Sequence, residues 1–335
     1  MAAKVRWGVL GNAKIAREKV IPGMQKGEFC AVTAMASRQG ENARPIAEAL
    51  GIATVHDTYE ALLADPDVDA IYNPLPNDLH VSWSIQAAAA GKHVLCEKPI
   101  GLSSAEASQL IAARDRYKVK MGEAFMARTH PQWMRAKSLV DSGELGELRL
   151  MVSTFSYFNR DAANIRNSVT AGGGALMDIG CYPVTLSRMI FGAEPLRVTA
   201  CMERDPDFGT DRLTSAILEY PQGQCVFSCS TQIAPYQRVT ILGTKARVEL
   251  EIPFNAPADR PLRVIVDTGK SLFGETARVE KMPVCDQYTI QGDLFSRAIL
   301  DDGEVPVGLE DSVANMKVIE AIFRSAVSKQ WEPVS

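Results

Sequence analysis

The 335-residue sequence predicts two domains: an α/β domain with a doubly wound parallel sheet, then an α+β domain with a large, mostly antiparallel open sheet. Three observations predict this. The length is about twice a typical domain of roughly 150 residues. Up to about residue 126, short apolar strands alternate with helical stretches. Beyond it, strand-like runs follow one another with turn signals between them. The expected domains are therefore 1–126 and 127–335.

The elements follow in order. Val5–Leu10 is a short apolar strand, and Gly11 opens a helical stretch through Met24. Residues 31–36 form a second strand, with helices over 44–50 and 59–64. Ala70–Asn73 is a strand stopped by Pro74, residues 79–90 a helix closed by Gly91, and His93–Cys96 the next strand. Ser103 with Glu106 three residues on makes a capping box for a helix over 107–117. Residues 118–125 read as a further strand. In the second domain Pro131 leads into a helix over 132–140, stopped at Gly143. Strand-like runs then span 148–158, 196–202, 213–220, 224–233, 238–242, 246–252 and 262–266, with Gly243-Thr244-Lys245 as a tight hairpin. Helical patterns return at 288–300 and 311–328. The last helix could pack on either domain.

Composition excludes several classes. With 46% apolar and 23% charged residues, the chain is neither disordered nor collagen-like. Lys and Arg number 36 against 40 Asp and Glu, a net charge of −4, so there is no basic excess for nucleic acid. No apolar run reaches the roughly 18 residues of a membrane span. The start, Met-Ala-Ala-Lys-Val-Arg-Trp, lacks the apolar centre of a signal peptide. A cytoplasmic protein with no nucleic-acid or membrane partner is expected. The 7 cysteines are an odd number scattered through apolar runs, and read as buried thiols in a reducing compartment. The 4 histidines are dispersed and no Cys/His group has zinc spacing, so no metal is expected.

Three segments carry chemistry. Gly11-Asn12-Ala13-Lys14-Ile15-Ala16 follows the first strand, with alanines where a dinucleotide fingerprint has its second and third glycines. Small residues there let backbone approach a pyrophosphate at a helix start. Alone, the run reads equally as an ordinary strand-to-helix turn. At the end of the second strand stand Ser37 and Arg38, where an NAD-selective site has a carboxylate. A hydroxyl and a guanidinium suit a 2′-phosphate, so NADP is expected, with NAD possible. The second segment, His93-Val-Leu-Cys-Glu97-Lys98-Pro99, delivers a carboxylate and an ammonium to the end of a strand, where open α/β sheets bind ligands. The third, Gly172-Gly-Gly-Ala-Leu-Met-Asp178-Ile-Gly-Cys-Tyr182, sets Asp178 and Tyr182 four apart, on one face if helical. Pro183 predicts a kink or a late helix start near Tyr182. Tyr182 taken alone reads as a core tyrosine.

Together these segments resemble the glucose–fructose oxidoreductase/inositol dehydrogenase/MocA family of NAD(P)-dependent dehydrogenases, along essentially the whole chain. The most specific run is Ala90-Gly-Lys-His-Val-Leu-Cys-Glu-Lys-Pro99, joined by Asp65-Pro-Asp-Val-Asp-Ala70 and Pro74-Leu-Pro-Asn77-Asp-Leu-His80. Glu123-Ala-Phe-Met126, His130-Pro-Gln132 and the run ending at Tyr182 look like the branch holding dimeric dihydrodiol dehydrogenase and NADP-dependent xylose dehydrogenase.

The resemblance implies an NADP-binding Rossmann domain. It implies Lys98 as the catalytic lysine, in a Lys-Pro bond often found cis, Tyr182 as the proton-transferring group, and Asp178 as a carboxylate of the same site. Gly11, Asn12, Ala13, Lys14, Ile15, Ser37, Arg38, Pro74, Asn77, His80, Glu97 and Lys98 would bind cofactor; Phe158, Asn164, Arg166, Asp178 and Tyr182 would face substrate. The implied reaction is hydride transfer on a sugar, polyol or dihydrodiol, most directly oxidation of an aldose at its anomeric carbon. Ketosugar reduction, glucose–fructose-type exchange and a noncatalytic NADP-binding sensor are the alternatives. A homodimer or larger even assembly through the open sheet is implied as well. The chemistry is coherent: removing hydride from a carbinol carbon also requires removing its hydroxyl proton. A tyrosine with an ordinary pKa near 10 is a weak base at neutral pH, and a neighbouring ammonium favours its phenolate.

Overall fold

The computed structural model describes residues 3–37, 40–271 and 273–334. Arg38 lies outside the described residues. The chain forms two compact units. The first joins Asp286–Val313 to the chain up to Thr129, and the second joins His130–Cys285 to the chain from Ala314 on.

The first unit is built on a six-stranded parallel sheet of β1 (Val5–Leu10), β2 (Cys30–Ala36), β3 (Thr54–His56), β4 (Ala70–Asn73), β5 (His93–Cys96) and β6 (Met121–Glu123), in the order β3-β2-β1-β4-β5-β6. β4 is buried at every position and β1 at nearly all, which is why both read as unbroken apolar runs. The helical segment after Gly11 is π-wound over Ala16–Val20 and continues as α1 (Ile21–Met24). The other helices are α2 (Gly40–Ala49), α3 (Tyr59–Leu63), α4 (Asn77–Ala89) and α5 (Ser104–Tyr117). Ser103 caps α5 by accepting the Glu106 N–H at 3.1 Å. The Glu106 carboxylate reaches the Leu102 N–H at 2.9 Å, one residue before the cap. Two strands differ from expectation. β3 has three residues, too few for an alternating pattern. β6 is shorter than 118–125 because Lys118 takes a left-handed φ of 56° to close α5.

The second unit carries α6 (Pro131–Asp141), β7 (Leu148–Phe158), α7 (Cys181–Phe191), β8 (Arg197–Arg204), β9 (Asp211–Tyr220), β10 (Gly223–Ser230), β11 (Gln232–Gly243), β12 (Arg247–Leu250), β13 (Leu262–Asp267) and β14 (Ala277–Met282). Then come α8 (Gln287–Leu300), α9 (Leu309–Ser328) and β15 (Glu332–Pro333). Nine strands make one sheet, ordered β14-β13-β12-β11-β7-β10-β9-β8-β15. Every neighbouring pair is antiparallel except β7 and β10. The hairpin at Gly243 closes with its N–H on the Ala246 carbonyl at 2.9 Å. The run 224–233, expected as one strand, breaks at Thr231 into β10 and β11, and β11 bulges against β7 between Gln232 and Tyr236. Cys225 and Cys229 both point into the core. Of the remaining cysteines, Cys201 is exposed and Cys285 half-buried.

One stretch departs from the expected boundary at 126. α8 packs in the first unit, with Phe295 5.6 Å from Trp7, ring centre to ring centre, and Ser296 accepting the Trp7 indole N–H at 3.0 Å. Burying Trp7 requires this partner for its N–H, and that pulls 286–313 back to the first sheet. α9 begins in the first unit and continues in the second. Among the described residues no helix is long and apolar enough to cross a membrane.

Candidate active site

The first unit presents a cofactor face. Its strand order reverses between β1 and β4, and open α/β sheets bind ligands beyond the strand ends at such a switch point. Gly11 leaves β1 with a φ of 74° and donates its N–H to Ala36 O at 2.7 Å. A Cβ there would come within 3.1 Å of the Leu75 side chain, so the turn requires glycine. Ala16 is fully buried, doing the close packing of the fingerprint's third glycine. Asn12, Ala13 and Ile15 are half-buried, while Lys14 is exposed and 4.0 Å from Glu18. Ser37, 7% exposed, ends β2 with its N–H on His56 O at 3.2 Å. The glycine turn, the helix that follows it and the switch point fit a dinucleotide.

Two turns next to this face are braced from inside. Asn73, buried at the end of β4, donates to His80 O and Ser84 Oγ at 3.1 Å each and accepts the Leu75 N–H at 3.3 Å. It holds the turn from Pro74, which is buried, to Asn77, which is half-buried and starts α4. His80, expected along the cofactor groove, is 1% exposed and spans the two turns instead. Its Nδ1 lies 2.8 Å from Pro99 O and its Nε2 2.7 Å from Leu75 O. Burial outweighs both contacts and pushes its pKa down to about 4. At neutral pH the ring carries one N–H, which donates to one of these carbonyls, while the other nitrogen packs against the second without a proton.

Past β5, the Glu97 carboxylate accepts the Tyr72 hydroxyl at 2.6 Å and the Lys98 backbone N–H at 3.3 Å. Burial, then the Glu97 charge, raises the Tyr72 hydroxyl well above its ordinary range, so it stays a donor. The Lys98–Pro99 bond is cis. Lys98 is half-buried at this strand end. Tyr72 was not singled out from sequence, although a buried tyrosine hydroxyl always needs a partner.

The second unit builds the other candidate cluster. Leu176–Gly180 is π-wound and runs directly into α7 at Cys181, so Pro183, whose missing N–H would break a regular α-turn, follows a widened turn. This is the irregularity expected near Tyr182. The entry is fixed by Gly174, at φ 115°, where a Cβ would sit 2.0 Å from Asp211 Oδ1. Asp211 in turn accepts the Leu176 N–H at 2.8 Å and the Thr214 hydroxyl at 2.7 Å.

Asp178 is gripped on both oxygens: Tyr157 donates to Oδ2 at 2.6 Å and Arg166 Nε lies 3.0 Å from Oδ1. Burial and this carboxylate raise the Tyr157 hydroxyl far above its ordinary value, which makes it a donor and not a base. Tyr182, 4% exposed, rests on Phe155 (5.8 Å between ring centres, edge-on) and Phe254 (5.5 Å). The geometry is a register match. Two strand residues, Phe155 and Tyr157, rise about 6.6–6.8 Å; four helical residues, Asp178 to Tyr182, rise about 6 Å. Period-two alternation therefore singles out Tyr157 beside Phe155. Phe158, expected toward substrate, is on the opposite strand face and 63% exposed. Asn164 accepts the Arg166 N–H at 3.1 Å and so orients the arginine that holds Asp178. Among the described residues, no group of three or more His, Cys, Asp or Glu is placed to hold a metal ion.

The glycine turn and switch point of the first unit define a dinucleotide-binding protein of the oxidoreductase class. Residues 5–125 match the family described as an oxidoreductase family with an NAD-binding Rossmann fold, and residues 133–249 match the GFO/IDH/MocA C-terminal domain. An uncharacterized oxidoreductase of Rhizobium meliloti, ORF334, is 46% identical, covering 98% of this chain and 99% of its own. D-xylose 1-dehydrogenase (NADP(+)) 2 of Haloferax volcanii is 39% identical, covering 96% and 97%. The crystal structure of the 3-ketoreductase KijD10 from Actinomadura kijaniata, complexed with NADP and TDP-benzene, superposes with a TM-score of 0.88 at 30% identity, covering 96% and 98%. The chain belongs to the GFO/IDH/MocA family of NAD(P)-dependent oxidoreductases.

Proposed function

We propose that this chain is an NADP-dependent sugar dehydrogenase that oxidises an aldose at its anomeric carbon. The observation that carries this is the 39% identity, over nearly the whole chain, to a relative named as an NADP-dependent D-xylose 1-dehydrogenase. Ser37 at the end of β2, in place of a carboxylate, favours the 2′-phosphorylated cofactor. Gly11 to Ile15 would hold the pyrophosphate, and Pro74, Asn77 and Glu97 would border the nicotinamide end.

When bound, the nicotinamide supplies the hydride acceptor. Tyr182, ionised to the phenolate, would take the proton of the anomeric hydroxyl, and loss of that proton and one hydride would convert the aldose to a lactone. Lys98 sets its ammonium against the anomeric oxygen as charge changes on it. Asp178, held by Tyr157 and Arg166, accepts a hydrogen bond from a second sugar hydroxyl and fixes the ring. Both of its oxygens are engaged by donors, which suits a positioning carboxylate better than a proton acceptor.

Purified protein offered NADP⁺ or NAD⁺ with aldoses, polyols and trans-dihydrodiols tests this. NADPH formation with an aldose, slower with NAD⁺, is the expected result. The second reading is ketosugar reduction, favoured by the likeness to the 3-ketoreductase. Silence with every aldose, together with NADPH consumption on a nucleotide-linked ketosugar, would replace the first reading by the second.

Self-association as a homodimer or a larger even assembly belongs to the same proposal. Val152, Tyr236 and Val279 lie 39–52% exposed on strands of the nine-stranded sheet, and apolar surface of this kind is covered in assemblies. Sedimentation at micromolar concentration is expected to give a dimer or larger; a pure monomer would refute it.

A further inference from the structure

Near the Lys98 turn lies a small, partly enclosed chamber in the first unit. Leu95, Phe125, Phe295 and Val307 line it with three polar residues, Glu123, Gln291 and Thr129, whose hydroxyl donates to Met126 O at 3.4 Å. Glu123 is 3% exposed and Gln291 5%. Glu123 Oε2 and Gln291 Oε1 are both buried without a hydrogen-bond partner. The free volume for the centre of a water molecule is about 10 Å³, room for one water. A protonated Glu123 donates its O–H into this space, and one water can accept it and pass a hydrogen bond on to Gln291 Oε1.

The rest of Glu123 is tied to the turn. Its neighbour in register on β5 is Cys96, two residues before Lys98. It is hydrogen-bonded by the Ile100 backbone N–H, two residues after Lys98, and by the Ser312 hydroxyl of α9. Its own backbone N–H reaches Val307 O at 3.1 Å.

We propose that Glu123 is a positioning residue for the turn that carries Lys98: a neutral carboxyl that holds the Ile100 N–H and, through one water in the chamber, the Gln291 carboxamide. The role rests on the reading of Lys98 as catalytic. The charged groups near it do not supply a counter-ion. Asp311 raises the carboxyl and Arg128 lowers it, and these two are paired with each other at 2.8 Å. From α8 the chamber meets only Gln291 and Phe295, both uncharged. Burial dominates and pushes the carboxyl up to about 8.

The sign of the pH dependence follows. In the unfolded chain the carboxyl ionises above its ordinary value of 4.5, whereas in the fold it keeps its proton to about 8. Between these values unfolding releases a proton, so stability falls as pH rises, about tenfold in the folding constant per pH unit, and levels off above 8. Near pH 7 the buried histidines His80, His93 and His130, all lowered by burial, still contribute an opposite slope through the unfolded chain, so the difference between wild type and E123Q is what isolates Glu123.

The test uses the full-length protein. Difference infrared spectra of wild type minus E123Q at pH 7 are expected to show the carbonyl band of a protonated carboxyl group, converting to carboxylate as pH passes about 8. Denaturant unfolding of the wild type from pH 7 to 8 is expected to show the slope, and E123Q to lose it. In turnover assays E123L is expected to lower kcat about 10- to 100-fold through a displaced turn, at nearly unchanged KM, with E123Q recovering most of the loss. A carboxylate band at pH 7, or the same slope in E123Q, overturns the neutral carboxyl. An E123L variant with wild-type kcat overturns the positioning role. If no substrate is turned over by the wild type, the functional reading fails separately, since the spectra and unfolding curves report on Glu123 without it.

Discussion

Replacing Tyr182 with phenylalanine is expected to lower kcat by about 10²- to 10⁴-fold, the range that general acid–base help supplies, with KM nearly unchanged. The substitution removes the hydroxyl and leaves the packing of the ring in place. The ring is 4% exposed and held by packing against Phe155 and Phe254, contacts that phenylalanine keeps. The melting temperature should therefore stay close to that of the wild type, which separates loss of a proton carrier from loss of fold. A decrease in kcat with unchanged KM marks an interaction made in the transition state and not in the ground state. Tyr157, nearby in the same unit, serves as the internal control. Its hydroxyl is committed to Asp178 and raised far above its ordinary range. Tyr157→Phe should loosen Asp178 and raise KM for the sugar more than it lowers kcat. If Tyr182→Phe loses less than about tenfold in kcat, the proton goes elsewhere and the assignment of Tyr182 falls.

The contrast between these two tyrosines also shows what is legible in one sequence. β1, β4, β5 and β7 fall at the expected residues, because each is an apolar or alternating run with a punctuating residue close after it: Gly11, Pro74, the polar pair Glu97 and Lys98, and Asn159. The irregular start of α7 was legible too, since a proline's missing N–H is a local fact. What stayed hidden depends on contacts across long stretches of chain. β14, Ala-Arg-Val-Glu-Lys-Met, is a mostly polar edge strand ordered by pairing with β13 and by ion pairs of Glu280 with Arg135 and of Arg278 with Glu144. α8 returns to the first unit because Trp7 needs a partner for its indole N–H 289 residues away. His80 belonged to a family motif and was expected at the groove. Only the placement of Leu75 and Pro99 shows that its ring is consumed in bracing two turns. Glu123 stood inside a quoted motif with no role attached. A carboxyl in an apolar strand end is visible in sequence, but the chamber it faces is not.

Replacing Lys98 with methionine is expected to cost about 10²- to 10³-fold in kcat, the loss seen when one preorganised charge or donor is taken from a transition state. Methionine keeps the length and apolar character of the stem and removes only the ammonium. The backbone at this position is held by other groups: the Lys98 N–H on Glu97, Glu97 on Tyr72, and Pro99 O on His80. The turn should therefore survive, and the melting temperature should remain close to that of the wild type. Lys98→Arg is expected to recover only part of the loss, because a planar guanidinium does not replace a compact ammonium at a single oxygen. The decisive measurement is the double variant Lys98→Met with Tyr182→Phe. Residues that act as a unit in one step give grossly non-additive losses, so the double variant should be little worse than the poorer single one. Losses that multiply would mean that the ammonium and the phenol act in separate steps, and the proposed dehydrogenase chemistry would need a different proton acceptor.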